Sequence, residues 1–322
     1  MNPIYSIVIP AYNEEEVITE SYRRISAVME SMDESYELIF VNDGSRDRTA
    51  HIIADLLHTD PHVRLINFTR NFGHMPAITA GMEYARGAAV IIIDADMQDP
   101  PEALPHMAAL WKEGNDVVYG KRKERQGETA FKQWSARCFY RFINSMTPID
   151  MPLDTGEFRL MDRKVVDAVN RLGERHRYIR GLVSWVGFRQ VAYEYVREER
   201  FAGTTKYPLR VMLSFAMDAI TAFSYKPLKL ASGLGFFISL CSFVYMLVIL
   251  WQRLFTDTTV TGWASTMGLI LFTQGIVLMI LGLMGEYIGR IFEEIKKRPV
   301  YIVREVLGFE KGSDEKNLNE LE

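Results

Sequence analysis

The sequence predicts an α/β protein with a mainly parallel sheet, followed by a hairpin of two membrane helices. Apolar strand-like segments alternate with helical ones up to about residue 207, and one apolar run passes directly into a group of acids. Further on, two stretches of 23 residues each contain no charged residue. Strands that alternate with helices form βαβ units, in which the strands run parallel. We therefore expect a globular domain over residues 1–207 and a membrane part after it.

Five strands are predicted in the first 120 residues, at 5–10, 37–42, 63–68, 90–93 and 116–120. Helices are predicted between them, over 14–32, from Asp47 onward, over 75–85 and from Pro101 to about 112. Asn13 is a candidate N-cap for the first helix, and Pro101 suits the first turn of the fourth. The carboxyl ends of parallel strands share one edge of a sheet, which is where open α/β sheets bind ligands.

The group of acids lies directly after the fourth strand, in residues 94–99. If the backbone stays extended there, Asp94, Asp96 and Gln98 share one face, because side chains alternate along a strand. Carboxylate and amide oxygens suit a hard divalent cation, Mg²⁺ or Mn²⁺, which usually keeps positions open for phosphates. The alternative is an acidic surface loop. The buried strand before these residues, and Pro100 and Pro101 after them, favour the metal site.

Composition and motifs exclude several other classes of protein. The net charge of −4 argues against a nucleic-acid binder. Cys138 and Cys241 are too few and too far apart for a disulfide framework or a zinc site. Neither a Gly-x-Gly-x-x-Gly loop nor a Walker A loop follows the first strand. The N-terminus passes straight into a strand, so we expect no secretory signal peptide.

Three segments carry a family resemblance: Ile-Val-Ile-Pro-Ala-Tyr-Asn-Glu at 7–14, Val-Asn-Asp-Gly-Ser at 41–45 and Asp-Ala-Asp-Met-Gln-Asp-Pro-Pro at 94–101. Together they resemble the family 2 glycosyltransferases, which have the Rossmann-like GT-A fold. More narrowly, the chain resembles the polyprenyl-phosphate glycosyltransferases, that is, dolichol-phosphate mannose synthase and bacterial undecaprenyl-phosphate glucosyltransferases. Residues 154–160 and 203–207 and the C-terminal pair of apolar segments extend this resemblance over nearly the whole chain.

The resemblance implies a role for each matching residue. Donor-nucleotide contacts are expected from Pro10, Tyr12, Asn13, Glu14, Asp43 and Asp94, and metal contacts from Asp94, Asp96 and Gln98. Catalytic roles are expected for Asp96, Asp154, Glu157 and Arg122, and acceptor-phosphate contacts for Arg122, Arg200, Thr205 and Lys206. Arg137, on the helix predicted after the basic segment that contains Arg122, is a further candidate for the acceptor phosphate from its charge and place in the chain alone. Glu157 stands where the family often has Asp or Cys. His74 is expected to be structural, and we assign it no catalytic role.

The implied reaction moves a sugar from a nucleoside diphosphate to a polyprenyl phosphate, with inversion at the anomeric carbon. A phosphate monoester has a second pKa of about 6, so it is already an anion at neutral pH. It can therefore attack without a general base. Family resemblance favours UDP-glucose as donor, with UDP-N-acetylglucosamine or another sugar as the alternative. The pathway that uses the product stays open.

The two uncharged stretches, 230–252 and 263–285, are each long enough to span a membrane. Cations lie outside the two spans: Arg210, Lys226 and Lys229 precede the first span, and Arg290, Lys296, Lys297 and Arg298 follow the second. The positive-inside rule then places both ends in the cytoplasm, and the resemblance implies the bacterial cytoplasmic membrane. We expect an interfacial amphipathic helix at 208–228, a hairpin at 229–289 and a cytoplasmic tail at 290–322.

Two other functions were weighed against this interpretation. A processive polysaccharide synthase would typically add a Gln-x-x-Arg-Trp motif and more membrane spans, and neither is found in the sequence. A membrane-anchored sensor of nucleotide sugars would not need intact acids at three strand ends. Oligomeric state stays open, because Gly282 and Gly285 permit helix association without requiring it.

Overall fold

The computed structural model describes residues 3–123, 155–196, 225–255 and 262–309. The chain forms two compact units. The first comprises residues 1–140, 149–212 and 299–322, and its described part holds a mixed sheet with helices. The second comprises residues 141–148 and 213–298, and its described part is two long helices.

The strands are β1 Tyr5–Ala11, β2 Tyr36–Asn42, β3 Val63–Phe68, β4 Ala89–Ile92, β5 Val117–Arg122, β6 Thr155–Asp162, β7 Gln190–Tyr195 and β8 Val303–Leu307. The helices are α1 Ile18–Ser31, α2 Thr49–Thr59, α3 His74–Tyr84, α4 Leu104–Lys112, α5 Arg163–Asn170, α6 Ile179–Trp185, α7 Lys226–Phe255 and α8 Trp263–Ile295. A 3₁₀ turn, Pro101–Ala103, leads into α4. All five predicted strands are confirmed.

The strand order of the described sheet is β7-β5-β6-β4-β1-β2-β3-β8. Strand β1 pairs in parallel with β2 and β4, β2 with β3, and β5 with β7. Strand β6 is antiparallel to β4 and β5, and β8 is antiparallel to β3. Every residue of β1, β2 and β4 is buried, as expected for central strands covered on both faces. The prediction of a mainly parallel sheet is confirmed.

The expected N-cap was wrong. Helix α1 begins at Ile18 and its N-cap position is Val17, not Asn13. Asn13 instead adopts a left-handed conformation with φ of 53°, which asparagine tolerates better than most residues. Its side-chain oxygen accepts a hydrogen bond from Arg46 N–H at 2.9 Å. Asn13 therefore ties the loop after β1 to the loop after β2.

The assumption of an extended backbone after Ile93 was also wrong. Strand β4 ends at Ile92, the chain turns over residues 95–96, and Met97 has a φ of 62°. Exposure nevertheless alternates. Residues 94, 96 and 98 are partly exposed, whereas 95, 97 and 99 are buried. The turn thus preserves the predicted division into two faces by a different backbone geometry.

Strand β8 lies in the predicted C-terminal tail, and sequence patterns did not indicate it. Thr69 N–H donates to the carbonyl of Ile302 at 3.1 Å, and the Asn67 side-chain amide donates to Glu305 Oε1 at 2.8 Å. The Tyr301 ring stacks on Phe68 with centroids 5.0 Å apart. After α8, the chain therefore returns to the sheet that contains β7, and β8 forms the edge strand opposite β7.

Helices α7 and α8 contain 30 and 33 residues and are both apolar. Lys226–Tyr245 and Phe272–Ile295 are long and apolar enough to cross a membrane. Their large apolar side chains are exposed, for example Phe236 at 72% and Leu278 at 67%. The predicted spans 230–252 and 263–285 fall inside these helices. Of the predicted interfacial helix at 208–228, residues 208–224 lie outside the described residues.

Candidate active site

One edge of the sheet collects most of the predicted functional side chains. The carboxyl ends of β1, β2, β4, β5 and β7 meet the amino end of the antiparallel β6 at this edge. Asp43 follows β2, Asp94 follows β4, Arg122 ends β5 and Glu157 lies near the start of β6. The structure therefore brings these four residues to one edge of the sheet, and their roles stay predictions.

One carboxylate oxygen of Asp94 is buried without a hydrogen bond from the described residues. Its Oδ1 atom accepts no hydrogen bond from the part of the chain that the structure describes, and His74 Nε2 lies 3.4 Å away. Burial raises the pKa of Asp94 to about 6, and the negative charges of Asp99 and Asp96 act in the same direction against the opposing effect of His74. The Oδ1 atom lacks the hydrogen bond that normally accompanies burial of a polar atom.

A divalent cation fits this position by donor chemistry. Asp96 Oδ1 accepts a hydrogen bond from Gln98 N–H at 3.2 Å, which links these two residues directly after Asp94. The three predicted ligands offer only oxygen atoms, the preference of Mg²⁺ and Mn²⁺. Among the described residues, no group of three His, Cys, Asp or Glu side chains is arranged to hold a metal ion. A cation held here would need oxygens from elsewhere, such as those of a diphosphate.

Asp43 is buried and fully engaged with the loop before α3. Its two carboxylate oxygens accept hydrogen bonds from Phe72 N–H at 2.6 Å and Gly73 N–H at 2.9 Å. Burial raises the pKa of Asp43 despite these two backbone donors. Gly44 allows this close approach, because a Cβ atom there would lie 2.3 Å from the backbone of Arg70. Asp43 therefore fixes the loop at residues 70–73.

The other predicted nucleotide residues lie on the end of β1 and in its following loop. Pro10 pairs with Val41 of β2 but lies beyond the last β1–β4 pair, Val8 with Ile92, which suits a residue without an N–H. Tyr12 is half-buried, and Glu14 N–H donates to Thr49 Oγ1 at 2.9 Å. Contact between these residues and a nucleotide stays a prediction.

Arg122 is held by two residues that sequence patterns did not single out, Asp99 and Tyr195. Tyr195 O–H donates to Asp99 Oδ1, and Arg122 Nε–H donates to Tyr195 Oη at 3.4 Å. Arg122 Nη2 also lies 3.9 Å from Asp99 Oδ1. The sixth residue of the Asp-Ala-Asp-Met-Gln-Asp segment was the available signal for Asp99, whereas nothing near Tyr195 marked it.

Glu157 sits in a buried cluster with two arginines. Arg180 Nε–H donates to Glu157 Oε1 at 2.6 Å, and Arg159 Nη2 lies 3.5 Å from Oε2. Burial raises the pKa of Glu157, but the charges of Arg180 and Arg159 outweigh this effect and hold the pKa below its ordinary value. Arg180 lies on α6, distant in sequence from every predicted motif, and the sequence analysis did not identify it.

The remaining predicted site residues, namely Asp154, Arg137, Arg200, Thr205 and Lys206, lie outside the described residues. Their roles stay predictions. His74 was expected to be structural, and it begins α3 with its ring near Asp94.

Comparison with known proteins identifies two regions of the chain. Residues 6–169 match the family described as "Glycosyl transferase family 2", and residues 226–291 match the "GtrB C-terminal hairpin". "Uncharacterized glycosyltransferase YkcC" of Bacillus subtilis is 57% identical over 306 residues, with 95% of each chain covered. "Uncharacterized glycosyltransferase sll0501" of Synechocystis is 46% identical, with coverage of 95% of this chain and 96% of the relative. The "SfII prophage-derived bactoprenol glucosyl transferase" of Shigella flexneri is 40% identical, with coverage of 93% and 97%.

Proposed function

The chain belongs to the family 2 glycosyltransferases, and from that premise we propose that it transfers glucose from UDP-glucose to undecaprenyl phosphate. Bactoprenol is a polyprenyl alcohol, and relatives named for glucosyl transfer to it match nearly the whole chain. The proposed location is the bacterial cytoplasmic membrane, with the sheet unit in the cytoplasm. Inversion and dependence on Mg²⁺ or Mn²⁺ are part of the same proposal.

The observation that carries this proposal is the place of the apolar hairpin in the chain. Helices α7 and α8 follow β7 and precede β8, and both strands pair within one sheet. A chain that leaves this sheet and returns to it must enter and leave the membrane on the same side. This agrees with the cations that flank both ends of the hairpin. An acceptor that is itself a lipid explains why a sugar-transfer domain is joined to such a hairpin.

The described residues suit this reaction along the edge of the sheet. Asp43, through the loop at residues 70–73, and the loop after β1 would hold the nucleotide. Asp94, Asp96 and Gln98 would hold the divalent cation, which when bound supplies positive charge for the leaving diphosphate. Arg122 would bind the attacking phosphate and offset its repulsion by the nearby acids. Bringing these two anions into line accounts for much of the catalysis.

The test is a transfer assay with the full-length protein in detergent. Undecaprenyl phosphate and Mg²⁺ or Mn²⁺ are supplied with radiolabelled UDP-, GDP- and dTDP-sugars, one at a time. We expect label from UDP-glucose in the organic phase. Label from UDP-N-acetylglucosamine alone would overturn the choice of sugar. Donor binding without transfer to any lipid would overturn the reaction and favour a sensor.

A further inference from the structure

We propose that Arg180 joins Arg122 to form the binding site for the phosphate of the acceptor, and that Glu157 is a positioning residue rather than a base. This inference rests on the proposed function, because it names the part of the edge that receives the attacking phosphate. Arg180 matches no motif of the sequence, and its assignment comes from the contacts of α6 with the start of β6.

The two guanidinium groups lie against neighbouring residues at the start of β6, Arg180 against Thr155 and Arg122 against Gly156. Arg180 Nη1–H donates to the carbonyl of Thr155 at 2.6 Å. A Cβ atom on Gly156 would lie 2.8 Å from Arg122 Nη2, so glycine leaves the space that this guanidinium occupies. Two arginine forks thus flank residues 155–156 at the binding edge of the sheet.

Each arginine is oriented by its own buried carboxylate. Asp99 is 1% exposed and Glu157 is 3% exposed, whereas their partners Arg122 and Arg180 are 31% and 33% exposed. A ligand can therefore reach the two cations but not the carboxylates behind them. The two guanidinium groups are therefore oriented toward a ligand, while the carboxylates of Asp99 and Glu157 remain buried behind them.

The contacts of Glu157 explain why it does not act as a base. Oε1 accepts from Arg180, and Oε2 lies beside Arg159, so both oxygens face cations. These cations keep the carboxylate ionised and weakly basic, whereas an efficient general base has a pKa near the working pH. The phosphate nucleophile is already ionised and has no proton that must be removed.

The order of strands indicates which phosphate the two arginines bind. The predicted nucleotide residues lie on β1 and β2, Asp94 follows β4, and the arginine site lies at β6 and β5. The metal-binding acids therefore stand between the nucleotide and the arginines. In-line transfer requires the attacking and leaving groups on opposite sides of the sugar. The arginines are thus on the side of the acceptor, and their planar forks match a phosphate dianion.

The first experiment compares Arg180→Gln and Arg180→Lys with the wild-type protein in the transfer assay. We expect the KM for a short-chain isoprenyl phosphate to rise about tenfold or more in Arg180→Gln, as for loss of a charged hydrogen bond. Arg180→Lys should recover part of it, and the KM for UDP-glucose should change less than about twofold. Arg23→Gln, on the exposed face of α1, is the matched control and should behave as wild type.

A rise in the KM for UDP-glucose alone would assign Arg180 to the donor diphosphate and overturn the inference, as would unchanged KM values for both substrates. If Arg180→Gln does not fold, Arg180→Lys carries the test, because it keeps the positive charge beside Glu157 and loses only the planar fork. A smaller rise in the acceptor KM is then expected, and an unchanged acceptor KM overturns the inference. Gly156→Ala tests the Arg122 half of the site, because the added methyl group displaces that guanidinium, and it should also raise the acceptor KM.

Glu157→Gln separates positioning from base catalysis. Glutamine Oε1 can still accept from Arg180, so we expect a raised acceptor KM and a kcat within about tenfold of wild type. A loss of kcat of about 10²- to 10⁴-fold at saturating acceptor, the usual effect of removing a base, would overturn this role.

Failure of the proposed function can be told apart from failure of this inference. If the wild-type protein transfers no sugar, the proposed function fails. Calorimetry then compares binding of the short-chain isoprenyl phosphate and of UDP to the wild-type protein and to Arg180→Gln. Loss of isoprenyl phosphate binding with unchanged UDP binding still supports the arginine site, and equal binding of both ligands by the two proteins overturns it.

Discussion

The two edges of the sheet bury carboxylates in different ways. At the amino end, Glu37 Oε1 accepts from Ser6 O–H at 2.5 Å and from Arg86 N–H at 2.9 Å. Gly87 N–H donates to Ser6 Oγ at 2.7 Å, which completes the cluster. At the carboxyl end, Asp94 Oδ1 is buried and accepts no hydrogen bond within the described part of the chain. Glu37 Oε1 is thus satisfied at the amino edge, whereas Asp94 Oδ1 is unsatisfied at the carboxyl edge.

This difference separates a structural acid from a ligand-binding one. A satisfied buried acid stabilises the fold, because its removal leaves buried donors without an acceptor. An unsatisfied buried acid costs stability unless a ligand completes it. The amino edge is therefore expected to respond to mutation in stability, and the carboxyl edge in activity.

Among the tests of this difference, removal of the metal is expected to change transfer activity most. Treatment of the full-length protein with a chelator should reduce transfer to background, because the leaving diphosphate then lacks its counter-charge. Mg²⁺ or Mn²⁺ in excess should restore it, whereas Ca²⁺, a larger cation, serves as a comparison. Transfer that persists in chelator after dialysis would remove the metal from the proposed reaction.

Asp94→Asn should come next in size. We expect transfer to fall about 10²- to 10³-fold, comparable to the loss of one group that stabilises developing charge. The melting temperature should stay equal or rise, because a neutral amide costs less to bury than a carboxylate whose Oδ1 atom accepts no hydrogen bond. Parallel activity and thermal-unfolding measurements check both parts. A protein that loses activity only because it unfolds would contradict the assignment.

Glu37→Met should show the opposite pattern. The methionine side chain has a similar size but no acceptor for Ser6 O–H and Arg86 N–H, so unfolding should become easier by about 1–3 kcal/mol. The KM and kcat of the folded fraction should match wild type. Chemical denaturation measures the first quantity and the transfer assay the second. An unchanged midpoint, or a specific loss of kcat, would erase the contrast between the edges.

Local patterns were sufficient to predict where several candidate site residues lie in the fold. The apolar run of β4 followed by Asp94 and Asp96 indicated both the strand and the position of the acids at its end. The same reasoning failed for backbone details, since the turn at Met97 and the late start of α1 depend on contacts with other loops. The secondary-structure propensities of single residues do not predict contacts between loops that are distant in sequence.

The residues that were missed share a different cause. Tyr195 meets Asp99 across 96 positions of sequence, and Asn67 meets Glu305 across 238. Strand β8 is short and half-exposed, so it lacks the apolar run that marks a central strand. Arg180 likewise reaches Thr155 and Glu157 at the start of β6 only in the folded chain. Such residues become visible only after the chain has folded.

Asp43→Asn should have the smallest effect, and it sharpens the comparison. Asp43 lies at the carboxyl edge yet is satisfied by Phe72 and Gly73, as Glu37 is satisfied at the amino edge. Asparagine can accept only one of these two hydrogen bonds, so we expect a loss of about 1 kcal/mol in stability. Looser placement of the loop at residues 70–73 should also raise the KM for UDP-glucose several-fold while the acceptor KM stays unchanged. Denaturation midpoints and donor titrations of Asp43→Asn and Glu37→Met, measured side by side, decide the point. A donor KM that rises equally in both variants would mean that loss of stability, not position at the edge, controls nucleotide binding.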